Sequence, residues 1–255
     1  MLQKLPKKNV AKPLILVALM ASLSACAGGM DRDPSDGIHD PYETSNRKTH
    51  AFNRKLDEKI VRPASRGYTT VLPDEVEDVV GNFATNLGTP SVAVNSLLQG
   101  DMRGTGISVL RFLVNSTIGI GGLIDAASEL GIREHDTDFG ETLYVWGAKE
   151  GAYVELPVLG PSTQRAAVGK VIDLFTNPLS YVVDSPESYY GTAASVAARL
   201  GDRGRYSDTI DSILYESADS YAQARLIYMQ NRRFELGQAD ESAEIDPFEL
   251  DTEGF

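Results

Sequence analysis

A helical pattern opens at "PDEVEDVVGNFATNL", residues 73–87, where Val76, Val79, Val80, Phe83 and Leu87 return at three- and four-residue steps. Pro73 and the acids Asp74, Glu75, Glu77 and Asp78 stand where a helix N-terminus favours them. Residues 43–60 place Phe52, Leu56 and Ile60 on one face, and Ser185 with Pro186 forms a cap and first turn for a helix running to Leu200. Toward the C-terminus Ile210, Ile213, Leu214, Ala218, Tyr221, Ala224, Ile227 and Tyr228 form a stripe about five turns long. Only residues 143–159, "LYVWGAKEGAYVELPVL", alternate as strands do, predicting two short strands around a turn bounded by Gly147 and Gly151. No strand–helix alternation that would build a parallel sheet is present, and no internal repeat. The pattern predicts a mainly all-α chain with one short β-hairpin.

Residues 107–123, "ISVLRFLVNSTIGIGGL", are the most apolar stretch after residue 25, interrupted by Arg111 and Asn115. A simple transmembrane helix is disfavoured, because an arginine near mid-span is costly unless it faces water or protein. Gly119, Gly121 and Gly122 weaken any helix end there. Two readings stay open: a buried core helix followed by a glycine-rich turn, or a segment dipping into lipid.

The two ends read differently. Lys4, Lys7, Lys8 and Lys12 precede ten mostly apolar residues, Leu14 to Leu23, the layout of a signal peptide over 1–25 and too short to span a bilayer. Leu23-Ser24-Ala25-Cys26 resembles the bacterial lipobox. That resemblance implies cleavage before Cys26, a diacylglycerol on its thiol and an acyl chain on the new amino terminus. Ala27 stands where an aspartate would retain the product in the inner membrane, so the expected address is the outer membrane of a Gram-negative cell. Residues 26–39 read as a lipidated tether and 238–255, with seven acids, as a disordered acidic tail.

Removing the leader leaves 20 basic residues against 36 acidic ones, a net charge of about −16 with histidines neutral. Nucleic acid is excluded as a natural partner, because phosphate-backbone binding needs clustered Lys and Arg. Cys26 is the only cysteine, so no internal disulfide braces the fold. With that cysteine committed to lipid and no G-x-S-x-G elbow, nothing nominates a catalytic nucleophile. His39, His50 and His135 lack H-E-x-x-H spacing, and His135 with Asp136 and Asp138 reads as a solvated loop rather than a metal site. "GIGG" lacks the G-x-G-x-x-G spacing and βαβ setting of a dinucleotide loop. The expectation is a protein that is not an enzyme, with no metal and no cofactor beyond its lipid.

Seven blocks then identify a family. "DPYETSNR" (40–47), "FN" (52–53), "VRPAS" (61–65), "NFATNLGTPSVAVNSLLQGD" (82–101), "RFLVNSTIGIGGLIDAA" (111–127), "DFGETL" (138–143) and "YVELPVLGPST" (153–163) resemble the MlaA/VacJ lipoproteins in order and spacing. The resemblance spans 40–237. It implies a ring-shaped helical assembly in the inner leaflet with an amphipathic central channel, associated with a trimeric porin. The implied work is to extract mislocalised phospholipids from the outer leaflet and pass them to a periplasmic carrier, maintaining lipid asymmetry. On that view Arg111, Asn115 and Ser116 are candidates for the polar channel lining, Gly119, Gly121 and Gly122 for a backbone bend, and Gly147 and Gly151 for a hinge. Relatives often carry G-x-G-x-G-P-Y at 147–153, where this chain keeps only the outer glycines, and an R-D pair where it has Arg165-Ala166. A stiffer hinge and a missing salt bridge are expected. The rival from another class is an anchoring lipoprotein that scaffolds envelope partners without moving lipid.

Overall fold

The computed structural model describes residues 38–183 and 188–238. The signal peptide, Cys26, most of the tether, Ser185, Pro186 and nearly all of the acidic tail lie outside the described residues. Helix α1 (Glu43–Leu56) runs through a π-helical turn (Asp57–Val61) into α2 (Arg62–Val71). Pro63 stands just after the π-helical turn, whose last bond runs from the Arg62 amide to the carbonyl of Asp57. Leu72, extended because Pro73 follows it, ends that helix. Helix α3 (Asp74–Gln99) is 26 residues long, carries Pro90 inside it and stops at Gly100, whose φ of +79° suits glycine.

Helix α4 (Met102–Thr117) folds back along α3, and the short α5 (Ala126–Glu129) and α6 (Phe139–Val145) follow. Strands β1 (Tyr153–Leu156) and β2 (Gly160–Thr163) pair antiparallel, with Tyr153 opposite Thr163 and Leu156 opposite Gly160. Then come α7 (Gln164–Thr176), α8 (Leu179–Val182), α9 (Ser188–Arg205), α10 (Ser207–Asp211), a second π-helical turn (Ser212–Glu216) and α11 (Ser220–Glu235). Side chains of Asp101, Asp125, Asp138, Thr163 and Asp219 accept hydrogen bonds from first-turn amides of α4, α5, α6, α7 and α11.

Several sequence expectations change. The strand signal at 143–159 splits: Leu143 to Val145 close helix α6, and the hairpin turns at 157–159, so Gly147 and Gly151 bound the link into β1. The 210–228 stripe breaks at Ser217, which is extended, and restarts at the Asp219 cap. A helical period survived in the sequence because both pieces present an apolar side. The helix expected to end at Leu200 continues to Arg205. Ile38, assigned to the tether, is packed with Tyr153, Tyr221 and Met229 in the one buried cluster described, and the amide of Tyr153 donates to the carbonyl of His39.

That cluster is small, and the rest of the interior is polar. Among the described residues seventeen polar or charged residues are buried against ten apolar ones, four of which are alanine. Large apolar side chains sit outside instead: Met102, Leu113, Ile118, Ile120, Leu174, Tyr181 and Val182 are all more than half exposed. A water-soluble domain of this size distributes its residues the other way. No helix among the described residues is long and apolar enough to cross a membrane.

Candidate functional site

Helix α4 shows the inversion at the level of single positions. Ser108, Arg111 and Asn115, at steps of three and four, are buried, while Val109, Leu110 and Leu113 between them are 45–53% exposed. Residues 107–123 are therefore not a buried core helix, although the glycine-rich turn expected after the helix is present. They form an amphipathic helix that turns its polar stripe toward the body, followed by a glycine-rich turn.

Arg111 is 4% exposed and directs its guanidinium at residues 125–132. One nitrogen contacts both oxygens of Asp125 at 3.0 Å, and the other donates to Ser128 Oγ at 3.2 Å and to the carbonyl of Ile132. Asn115 donates to Asp125 at 2.9 Å while its oxygen accepts the Ala127 amide at 2.8 Å. Burial alone would raise the Asp125 carboxyl, but hydrogen bonds from Ser128, Asn115 and Arg111 outweigh it and hold the group below its usual range. Arg111 and Asn115 thus tie α4 to the start of α5. Ser116 accepts from Asn86 Nδ2 at 3.1 Å, tying α4 to α3.

The turn at 118–123 uses its glycines for specific reasons. A Cβ on Gly119 would stand 2.2 Å from the carbonyl of Ile124, and one on Gly122, already at φ +92°, would stand 2.5 Å from Asn86 Nδ2. Gly121, at φ +72°, faces open space. Ile118 and Ile120 are 64% and 65% exposed at this tip, and Ile120 itself holds a left-handed φ of 53°. The backbone closes tightly to present two isoleucines outward.

Between α3, α4 and the 133–136 loop lies a cavity of about 300 Å³. Thr85, Gly88, Thr89 and Val92 line it from α3, Arg111 from α4, and Glu134, His135 and Asp136 from the loop. Desolvation first, then the nearby charges of Asp138 and Glu235, push the Asp136 carboxyl above its usual range.

A second polar seam holds the hairpin. Asn46, His50 and Asn53, at steps of four and three on α1, face β1. Asn46 brackets residues 153–155, donating to the carbonyl of Tyr153 at 3.1 Å and accepting the Glu155 amide at 3.0 Å. His50 Nδ1 lies 3.4 Å from the buried Glu155 carboxylate, which also accepts the Tyr153 hydroxyl at 2.6 Å. Asn53 donates to the carbonyl of Leu156 at 2.9 Å and accepts the Val158 amide at 2.8 Å, so it grips both sides of the turn. Val158 and Leu159 at the tip are 69% and 52% exposed. Gly147 and Gly151 hold φ of +87° and +76° at the ends of the link; a Cβ on Gly151 would meet Gln164 Oε1 at 2.6 Å. Arg165 is buried over the Tyr144 ring and donates to the carbonyl of Ala148 at 3.1 Å, with no carboxylate bonded to it among the described residues.

The α1 seam, Asp125, Thr85 and Thr89 escaped the sequence reading. The signal was present in part, since Asn46, His50 and Asn53 recur at helical spacing.

A polar seam between helices whose outer faces are greasy defines a class: a helical protein with an exterior suited to hydrocarbon and an interior suited to polar groups. Residues 38–235 match the family model for MlaA lipoprotein, and the chain belongs to that family. The "intermembrane phospholipid transport system lipoprotein MlaA" of Haemophilus influenzae is 31% identical over 247 residues, covering 92% of this chain and 96% of that one. The Escherichia coli protein of the same name is 33% identical over 217 residues, 83% of each. An uncharacterised protein of Rickettsia felis is 36% identical over 78% of both chains. A solved structure described as the structural basis for maintenance of bacterial outer membrane lipid asymmetry matches with a TM-score of 0.66 at 32% identity, over 77% of this chain and 98% of that one.

Proposed function

We propose that this protein is an outer-membrane lipoprotein, anchored through acyl chains on Cys26, that removes phospholipid from the outer leaflet and hands it to a periplasmic carrier. The observation that carries the reading is the inversion of exposure: polar stripes inside, apolar stripes outside, on the same helices. A phospholipid changing leaflets must keep its headgroup wet and its tails in hydrocarbon. A ring of such helices around a polar channel, with Arg111, Asn115, Ser116 and the cavity beside them on its inner side, meets both needs. The apolar exterior would be covered by inner-leaflet lipid and by a trimeric porin. The chemistry is transfer without bond-making. Any ATP-derived energy would enter elsewhere in the pathway.

The test is the amount of phospholipid in the outer leaflet of cells lacking the protein, read with an outer-leaflet acyltransferase or phospholipase reporter. A rise that the native gene reverses and Cys26→Ala does not is the expected result. An unchanged outer leaflet, with partner assembly lost instead, would establish the scaffolding role in its place.

A further inference from the structure

We propose that the outer face of α1 and of the π-helical turn after it docks onto anionic phospholipid headgroups at the bilayer surface. Its lysines meet the phosphates, and two apolar side chains beside them meet the edge of the hydrocarbon. The proposal rests on the membrane-anchored reading above and adds the lipid class that one face recognises. Only five lysines follow residue 25, and three of them, Lys48, Lys55 and Lys59, stand on this stretch. Their steps of seven and four return them to one side of a helix. All three are exposed, and none makes an ion pair among the described residues. Phe52, between the first two, and Ile60, after the third, are 52% and 59% exposed. Glu58 is the one exposed acid between residues 44 and 60, because Asp57 turns inward to Arg203 at 2.8 Å and to the Tyr215 hydroxyl at 2.7 Å. The result is a locally positive face on a chain whose 36 acids outnumber its 24 basic residues.

The other side of α1 is occupied: Asn46, His50 and Asn53 hold the hairpin, so packing does not use the lysine side. A bilayer fits that side better than a protein does. Protein interfaces are depleted in lysine, whereas a helix lying at a bilayer surface combines lysines with exposed aromatic and aliphatic side chains. An ammonium on a four-carbon stem reaches a phosphate while the stem stays against apolar groups. The negative charge of the whole chain does not cancel this attraction, because salt screens charges beyond about 10 Å and the lysines act on the phosphates they touch. Asn53, on the same helix, grips the hairpin tip, where Val158 and Leu159 are exposed. Docking of α1 therefore also sets the depth of that tip.

The experiment uses the full-length lipidated protein carrying Ala51→Cys, an exposed position on α1, labelled with an environment-sensitive fluorophore. It is added to vesicles of phosphatidylcholine alone, or of phosphatidylcholine with an equal amount of phosphatidylglycerol. Flotation reads attachment, and the blue shift of the probe reads docking of α1. A blue shift with phosphatidylglycerol that high salt reverses is expected, with little shift on phosphatidylcholine alone. Lys48→Gln/Lys55→Gln/Lys59→Gln should lower the ratio of docked to undocked α1 by about a hundredfold, from about fivefold per lysine at an anionic surface, with circular dichroism unchanged. An equal shift on both vesicles, or a shift unchanged in the triple variant, overturns the headgroup assignment and leaves the anchored protein standing. A probe that stays in water on both vesicles while the protein floats overturns the docking and assigns the lysine face to an acidic protein partner. Failure to float with either vesicle overturns the anchored reading as well.

Discussion

At the scale of single residues the Arg111–Asp125 contact carries the most weight. Removing Arg111 leaves Asp125, which is 29% exposed and keeps its bonds from Asn115 and Ser128, so the cost is that of a lost charged hydrogen-bond partner, about 1.5–3 kcal/mol. Arg111→Ala is expected to destabilise the protein by about that amount, read as a lowered denaturation midpoint in detergent. If the variant keeps native stability but loses transport, the pair serves the lipid path rather than the fold. Asp219 gives a pH counterpart. It caps α11 and pairs with Arg47 at 2.8 Å, and that hydrogen bond is the main reason its carboxyl falls from 3.8 to about 2. A depressed folded value means the contribution is complete above about pH 4 and is lost as pH falls through about 2. Asp219→Asn keeps a capping side chain, so its melting temperature should start lower and fall less steeply between pH 4 and 2 than that of the native protein.

At the scale of elements, the glycine turn and the hairpin separate backbone need from space. Gly119→Ala drives a Cβ into the Ile124 carbonyl, and Gly122→Ala combines a left-handed backbone with a collision at Asn86. Gly121→Ala pays only the left-handed penalty, about 1–2 kcal/mol. Melting midpoints should rank Gly121→Ala above the other two; equal losses would mean that space at the turn is irrelevant. For the hairpin, Asn53→Ala releases the Val158 amide and is expected to raise its hydrogen exchange, with a global cost of about 1 kcal/mol. Legibility in the sequence follows the same division. Helix α3 was readable because its apolar residues keep a helical period regardless of which solvent they meet. The hairpin was misplaced because Leu143 to Val145 alternate like a strand while Asp138 caps them into a helix. Arg111, Asn115 and Ser116 were visible as polar breaks in a greasy run. Their partners Asp125 and Asn86 were not, since contacts across 10 to 30 positions leave no local pattern.

At the scale of the molecule, the question is what solvent the exterior expects. Apolar positions on α4, the 118–123 turn, α7 and α8 are exposed together with the hairpin tip, far more than scattered surface leucines require. The single tryptophan, Trp146, stands in this exterior. It is 56% exposed at the end of α6, edge-on to Phe139 at 5.7 Å, with its indole N–H donating to the carbonyl of Leu98 at 3.0 Å. An indole with its N–H satisfied by protein and its ring uncovered is suited to the boundary of a bilayer. Fluorescence of the native protein in vesicles is therefore expected to fall strongly when the acyl chains are brominated, and little when only a water-soluble quencher is added. Leu113→Glu supplies the converse. Its side chain lies on the exposed face of α4, so the fold should survive in detergent, whereas a carboxylate there meets hydrocarbon in vesicles and should weaken insertion by about tenfold or more. A Trp146 quenched mainly from water, together with unchanged insertion of Leu113→Glu, would place this face against protein instead, and the apolar exterior would then be an interface with a partner.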